Sequence, residues 1–262
     1  VADGGTVKLD GNYPTGTENT ALGDTALDTV QAGGNYNVAI GSKSLTALTT
    51  GDQNTAVGSY SAVAITTGTD NVAVGVNALV ATTTANDNVA VGSPALTANT
   101  TGTTNTAVGK NSLHANTTGD DNVAVGCGAL CSNTTADDNT AVGTASLKAN
   151  TTGTGQVAVG MRALLSNTTA ADNTAMGIDA LRTTSTGAGN TAVGANSMYS
   201  NTTGASNVAM GCNALDANTT GFQNAALGAL SLSENTTAAN NTAVGFCAGN
   251  KNTTGTSNVF LG

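Results

Sequence analysis

The amino-acid sequence predicts an all-β chain: a parallel β-solenoid, or β-roll, of about 14–15 coils with a 17-residue repeat. Three observations carry that prediction: a short and strict period, a composition suited to an interior one side chain deep, and a unit rich in turn and strand formers. Between Gly41 and Gly262, through Gly58, Gly75, Gly92 and on to Gly245, all thirteen intervals are seventeen residues; Gly23 stands eighteen before Gly41. Each glycine closes a pentapeptide such as Asn71-Val-Ala-Val-Gly75 or Asn105-Thr-Ala-Val-Gly109. A unit this small cannot bury its apolar face alone and must stack on its neighbours.

Composition agrees. The 262 residues include no Trp, three Phe and four Tyr, so the large side chains of a thick core are missing. The hydrophobic fraction of 39% is mostly Ala, Val and Leu, and charged residues are 9%, against about 25% in ordinary soluble domains. Low charge with apolar residues in register excludes disorder, and two prolines, Pro14 and Pro94, without a glycine triplet exclude collagen. A net charge of −9 with seven scattered Lys and Arg speaks against a nucleic-acid partner. No run of about 18 apolar residues is present, so no segment is expected to insert in a membrane. With no signal peptide and no initiating Met, Val1 reads as a cut end and the chain as a segment of a longer protein.

Numbering the unit from its Asn, position 1 is Asn in every copy but Gln156, position 2 mostly Val or Thr, position 3 Ala until Phe260, position 4 Val, Ile, Met or Leu, and position 5 Gly. Positions 1–5 form the predicted first strand. Alternation puts positions 2 and 4 on one face and Ala on the other, with position 4 expected to meet the Leu of position 9 (Leu45, Leu79, Leu96 and their equivalents) inside the coil. Gly at position 5 suits positive φ or a close backbone approach. A second strand is expected at about positions 10–14, after which Gly at position 15 opens the return turn. A helical hairpin needs about thirty residues per repeat, and Gly, Asn and Thr are poor helix formers. Coils ~4.8 Å apart would stack Asn at positions 1 and 12 into amide ladders. Residues 1–18, with Tyr13-Pro14, lack the motif and are expected to cap or join the repeat domain of residues 19–262. The Ala at position 3 reads as a seam where chains approach closely, or else as the lining of a narrow interior with position 2 facing solvent.

The pentapeptide followed by a small residue three positions on, as in Asn88-Val-Ala-Val-Gly92 with Ala95, resembles the head repeat of YadA-like trimeric autotransporter adhesins. Arrays of Asn-Thr-Ala-Val-Gly, Ala-Leu and Asn-Thr-Thr-Gly are also similar to those of phage tail-fibre proteins. The resemblance covers residues 19–262 and implies a left-handed β-roll, a homotrimeric fibre and an extracellular site on a virion or bacterial surface. The period here is longer than that of the adhesin head, so the Asn-Thr-Thr arm is additional.

Chemistry finds little in the sequence. His114 is the single histidine, with no second imidazole or nucleophile–base pair from which to build a zinc site or triad; no catalytic residue, cofactor site or metal site is expected. Cys127, Cys131, Cys212 and Cys247 read as small apolar substitutions, with a local Cys127–Cys131 bridge as the alternative. Acidic residues gather at positions 16 and 17, and Asp120, Asp121, Asp137 and Asp138 come from adjacent coils. They are the one candidate cation site, against the simpler reading of Asp as a turn former. Asn-Thr-Thr at Asn99, Asn116, Asn133 and Asn150 matches the glycosylation acceptor, but coils this close leave no room for a glycan on every rung.

The expected function is therefore non-catalytic: a rigid shaft and attachment module touching a host glycan or protein. The alternatives are an ice-binding solenoid, opposed by the adjacency of Thr at positions 13 and 14, and a self-assembling filament subunit.

Overall fold

The structure is a computed structural model that describes residues 7–8 and 16–262. Tyr13 and Pro14 of the expected cap lie outside the described residues. The chain forms two compact units, residues 1–128 with 132–135 and residues 129–131 with 136–262. The first holds β1 (Val7–Lys8), β2 (Thr20–Leu22), β3 (Val38–Ile40), β4 (Thr55–Val57), β5 (Val72–Val74), β6 (Val89–Val91), β7 (Thr106–Val108) and β8 (Val123–Val125). The second holds β9 (Thr140–Val142), β10 (Val157–Val159), β11 (Thr174–Met176), β12 (Thr191–Val193), β13 (Val208–Met210), β14 (Ala225–Leu227), β15 (Thr242–Val244) and β16 (Val259–Leu261). No helix occurs among the described residues.

Within each unit, consecutive strands pair in parallel and in strict register, Ala opposite Ala: Ala73 with Ala90 in the first, Ala158 with Ala175 in the second. The chain is thus an all-β parallel β-solenoid with one coil per 17-residue repeat. β1 differs in running antiparallel to β2, with Val7 opposite Leu22.

The strands span only positions 2–4 because left-handed backbone brackets them. Asp87 before β6 has φ 59°, and Gly92 after it has φ 133°, a value open to glycine. A second constraint acts at the same glycines. A Cβ at Gly109 would lie 2.7 Å from the carbonyl carbon and oxygen of Gly126 on the next coil, so the corners touch backbone to backbone.

The predicted second strand is not formed. Two successive turns take up positions 5–12: Ser112 N–H donates to Gly109 O (3.3 Å) and Asn116 N–H to Leu113 O (3.2 Å). Leu113 itself sits at φ 46°. Further on, the N–H groups of Thr49 and Thr50 both donate to Thr66 O (2.8 and 3.3 Å), where a strand would alternate its donors. Intercoil bonding nevertheless continues around the coil, as in Leu96 N–H to Ser112 O (3.0 Å) and Thr100 N–H to Thr117 O (2.9 Å). The backbone is satisfied without a second ladder.

The strand also faces the opposite way from the expected one. Ala39, Ala73, Ala107, Ala158 and Ala209 are fully buried, as are Leu79, Leu113 and Leu164 of position 9. Position 4 faces out, with Val159 38% and Met176 44% exposed. Ala is therefore the lining of a narrow interior, and the outward Ala seam is excluded. The cause is volume. A leucine reaching across so thin a coil leaves a methyl group's space beneath the strand, and a branched side chain there would overpack it.

Asn ladders close each coil. Asn88 is buried; its Nδ2 donates to Asn71 Oδ1 (3.2 Å) on the previous coil, to Asn86 O (3.0 Å) and to Gly102 O (3.0 Å) at the far end of its own coil. Its N–H also bonds Asn71 Oδ1, at 3.1 Å. In the second unit Asn207 repeats the set with Asn190 Oδ1 (3.1 Å) and Gly221 O (2.9 Å). One amide thus staples its coil shut and ties it to its neighbour, the use for which a buried primary amide has enough donors and acceptors.

Candidate functional surface

Once Ala and Leu fill the interior, positions 2 and 4 must project outward, since side chains alternate along a strand. In the first unit the position-4 file runs Leu22, Ile40, Val57, Val74, Val91, Val108, Val125; beside it position 2 supplies Thr20, Val38, Thr55, Val72, Val89, Thr106 and Val123. The second unit continues the pattern with Val142, Val159, Met176, Val193, Met210, Leu227, Val244 and Leu261. Neither file contains a charged residue. Position 6 adds Val76, Met161, Ile178 and Phe246, all exposed. Seven coils in the first unit and eight in the second, at ~4.8 Å each and with a width of about 10 Å, make an uncharged, largely apolar strip on the order of 350–400 Å² in each unit, the scale of the largest patch on a soluble monomer, which is often functional.

The opposite arm is polar and engaged with itself. At position 13, Thr117 Oγ1 donates to Thr134 O (2.9 Å) and Thr202 Oγ1 to Thr219 O (3.0 Å). The Thr of position 14, such as Thr118 and Thr203, is exposed. Asn at position 12 forms the second predicted amide ladder: Asn116 Nδ2 donates to Asn99 Oδ1 (3.0 Å) and to Gly119 O (2.9 Å). Asn99, Asn116, Asn133 and Asn150 are fully buried, so in the folded chain these four amides are closed to a glycosyltransferase. The ladder has a flaw at Thr184, where a hydroxyl replaces the amide and Asn167 Oδ1 is left buried without a partner.

The acidic turn residues have backbone duties. Asp120 Oδ1 accepts the N–H (2.6 Å) and hydroxyl (3.1 Å) of Thr103, and Asp52 Oδ1 accepts Asn35 N–H (2.6 Å). Asp121 and Asp138 occupy left-handed seats at φ 56° and 60°, which Asp and Asn tolerate best. Asp120 and Asp121 belong to the first unit, Asp137 and Asp138 to the second. Among the described residues no group of three or more His, Cys, Asp or Glu converges in metal-holding geometry. His114 is half-buried with Nδ1 unpartnered, and its carbonyl accepts Ala98 N–H (3.2 Å). Cys127 is an exposed free thiol, so the local bridge to Cys131 is not made; Cys212 and Cys247 are also free.

One charged constellation escaped the sequence reading. Arg162 grips Asp179 on the next coil with two parallel bonds, Nε to Oδ1 at 2.8 Å and Nη2 to Oδ2 at 2.6 Å. Arg182 places Nε 3.4 Å from Asp179 Oδ1, donates from Nη1 to the Tyr199 hydroxyl, and lies 5.3 Å from the Tyr199 ring centroid. The hydrogen bond from Arg162, helped by both guanidinium charges, holds the Asp179 carboxyl below the usual carboxylate range. Farther along the position-10 file, burial pushes Asp216 up. The signal was spacing: like positions of successive coils meet, position 7 with 7 (Arg162 and Asp179) and position 10 with 10 (Arg182 and Tyr199), while Asp179 and Arg182 are three residues apart on one coil.

No helix among the described residues is long and apolar enough to cross a membrane. Comparisons with protein-family models, with curated proteins and with solved structures find no match to this chain.

Proposed function

We propose that the chain is a structural and adhesive fibre segment: a stiff, non-catalytic attachment module of the kind displayed outside the cell, on a virion tail fibre or a bacterial surface, whose flat outer face packs against copies of itself in a homotrimer. One observation carries the reading, the uncharged double file of Val, Thr and longer apolar residues at positions 2 and 4. Solvent alone gives no reason to keep such a face free of charge through fifteen strands. A copy touching only one unit's strip would bury less than the ~800 Å² per partner of a standard interface, which favours several faces meeting at once. Stiffness follows from the intercoil bonding, and repeated weak contacts along a fibre gain from multivalency.

Sedimentation of the purified chain tests this directly. A closed trimer that dissociates on Val91→Lys with Val108→Lys, while circular dichroism is retained, is the expected result. A monomer at all concentrations would overturn it, and mass growing with concentration would indicate an open filament.

A second reading, ice binding, gains from the same geometry. Thr at positions 13 and 14 are adjacent, but positions 2 and 4 are spaced by two and set uncharged, mostly β-branched side chains in parallel files on one face of the strands. Thermal hysteresis from a monomeric chain would favour it over self-association.

A further inference from the structure

In a chain built of copies, chemistry added to the scaffold shows where neighbouring coils depart together from the repeat. The clearest such place is one corner of the second unit. Three of the seven Lys and Arg, including both arginines, lie there in three consecutive coils: Lys148 and Arg182 at position 10, Arg162 at position 7. Among the described residues Asp179 is the one carboxylate in contact with them; the next on the position-10 file, Asp216, is two coils beyond Arg182. The corner is thus net positive on a chain of net charge −9.

We propose that this corner binds the sulfate or carboxylate group of an acidic sugar, which deepens and rests on the attachment role proposed above. Asp179, only 6% exposed, does not cancel the arginines so much as aim them. It takes Nε and Nη2 of Arg162 and Nε of Arg182, and Tyr199 takes Nη1 of Arg182. Nη1 of Arg162 and Nη2 of Arg182 remain without a protein partner among the described residues, on side chains 37% and 32% exposed. Guanidinium groups fixed in this way have already lost the freedom that binding would otherwise remove, and their N–H edges match the oxygens of planar or tetrahedral anions. Lys148, exposed one coil before Arg162, adds a further positive charge. Met161 and Ile178, beside Arg162 and Asp179 in the chain and exposed, offer apolar ground for the C–H face of a sugar ring. Arg162 holds φ 58°, a left-handed seat that Asn fills at Asn77, Asn111, Asn196 and Asn213 and that longer side chains fill at Lys43, Tyr60 and Leu230.

The test is calorimetric titration of the full chain at low ionic strength with a fully sulfated disaccharide that carries no carboxylate, its neutral desulfated form and inorganic sulfate. The sulfated disaccharide should bind, more weakly as salt screens the charges. Arg182→Gln should weaken it about tenfold, the loss of a charge-assisted hydrogen bond. Lys148→Gln, at an exposed side chain whose loss leaves the fold intact, should weaken it severalfold, and Lys251→Gln, paired elsewhere with Glu234, should not. No binding by the unaltered chain, equal binding of the desulfated form, affinity no better than inorganic sulfate, or indifference to both Lys148→Gln and Arg182→Gln would each overturn the site. The corner belongs to a single chain, so these outcomes are independent of the sedimentation result.

Discussion

Gly249 and Phe260 are fitted to one another: a Cβ at Gly249 would lie 2.5 Å from Phe260 Cδ2. Position 9, leucine in most coils, is here glycine, and position 3 of the following coil, alanine in every other, is phenylalanine. The ring takes the space the leucine vacates. Large and small have changed places across the interior while its filled volume is kept.

That exchange makes a reciprocal prediction. Phe260→Ala opens a void and should cost roughly 3 kcal/mol, the low end for such a truncation because the ring is half-buried. Gly249→Leu alone should cost about 1–3 kcal/mol by overpacking. The double substitution restores the common pattern, with leucine already tolerated at φ 48° at Leu232, and should recover most of the loss. Denaturant unfolding with hydrogen exchange across β15 and β16 reads the coupling; strict additivity of the two costs would refute the fit.

The broken position-12 ladder predicts a gain. Thr184→Asn gives Asn167 Oδ1 the donor it lacks and should raise stability by about 1 kcal/mol. Asn116→Ala, which removes an amide bonded to Asn99 Oδ1 and Gly119 O, should lower it by about 2 kcal/mol or more. Melting temperatures of the two variants should move in opposite directions.

Facing direction is testable at adjacent residues. Ala107→Val adds bulk to the filled interior and should destabilise by about 1–3 kcal/mol. Val108→Thr, on the outer file, should leave the stability of the single chain within about 0.5 kcal/mol. The reverse ranking would mean the strand is turned over.

Two carboxylates predict opposite pH behaviour. Burial raises Asp216, so its charged form costs stability above its folded pKa, and Asp216→Asn should raise the melting temperature at pH 7. That gain should vanish as pH falls below the unfolded value of about 3.9. Asp179 is lowered chiefly by its bond from Arg162, so its contribution is full above about 3.9 and is lost as pH falls through the lower folded value. Asp179→Asn should therefore destabilise at pH 7 and matter little in strong acid. Thermal scans from pH 2 to pH 7, on the order of that range, check both signs.

The sequence by itself determined the period, the parallel stacking, the glycine corners and both asparagine ladders. Each of these is a relation between a residue and its own copy seventeen positions on, and a repeat displays that relation in one dimension. Facing direction was legible too, in a signal read the wrong way: position 3 held to Ala until Phe260 while position 4 ranged over Val, Ile, Met and Leu, and only an outward site tolerates such variation in size. Tertiary structure alone decided the two turns that replace the second strand, because positive φ at Leu113 and its equivalents contradicts leucine's own preference and is imposed by closing a coil around that side chain. It also decided the pairing of Arg162, Asp179, Arg182 and Tyr199, since which positions share a corner depends on where the chain bends, and those bends are set by packing across the coil.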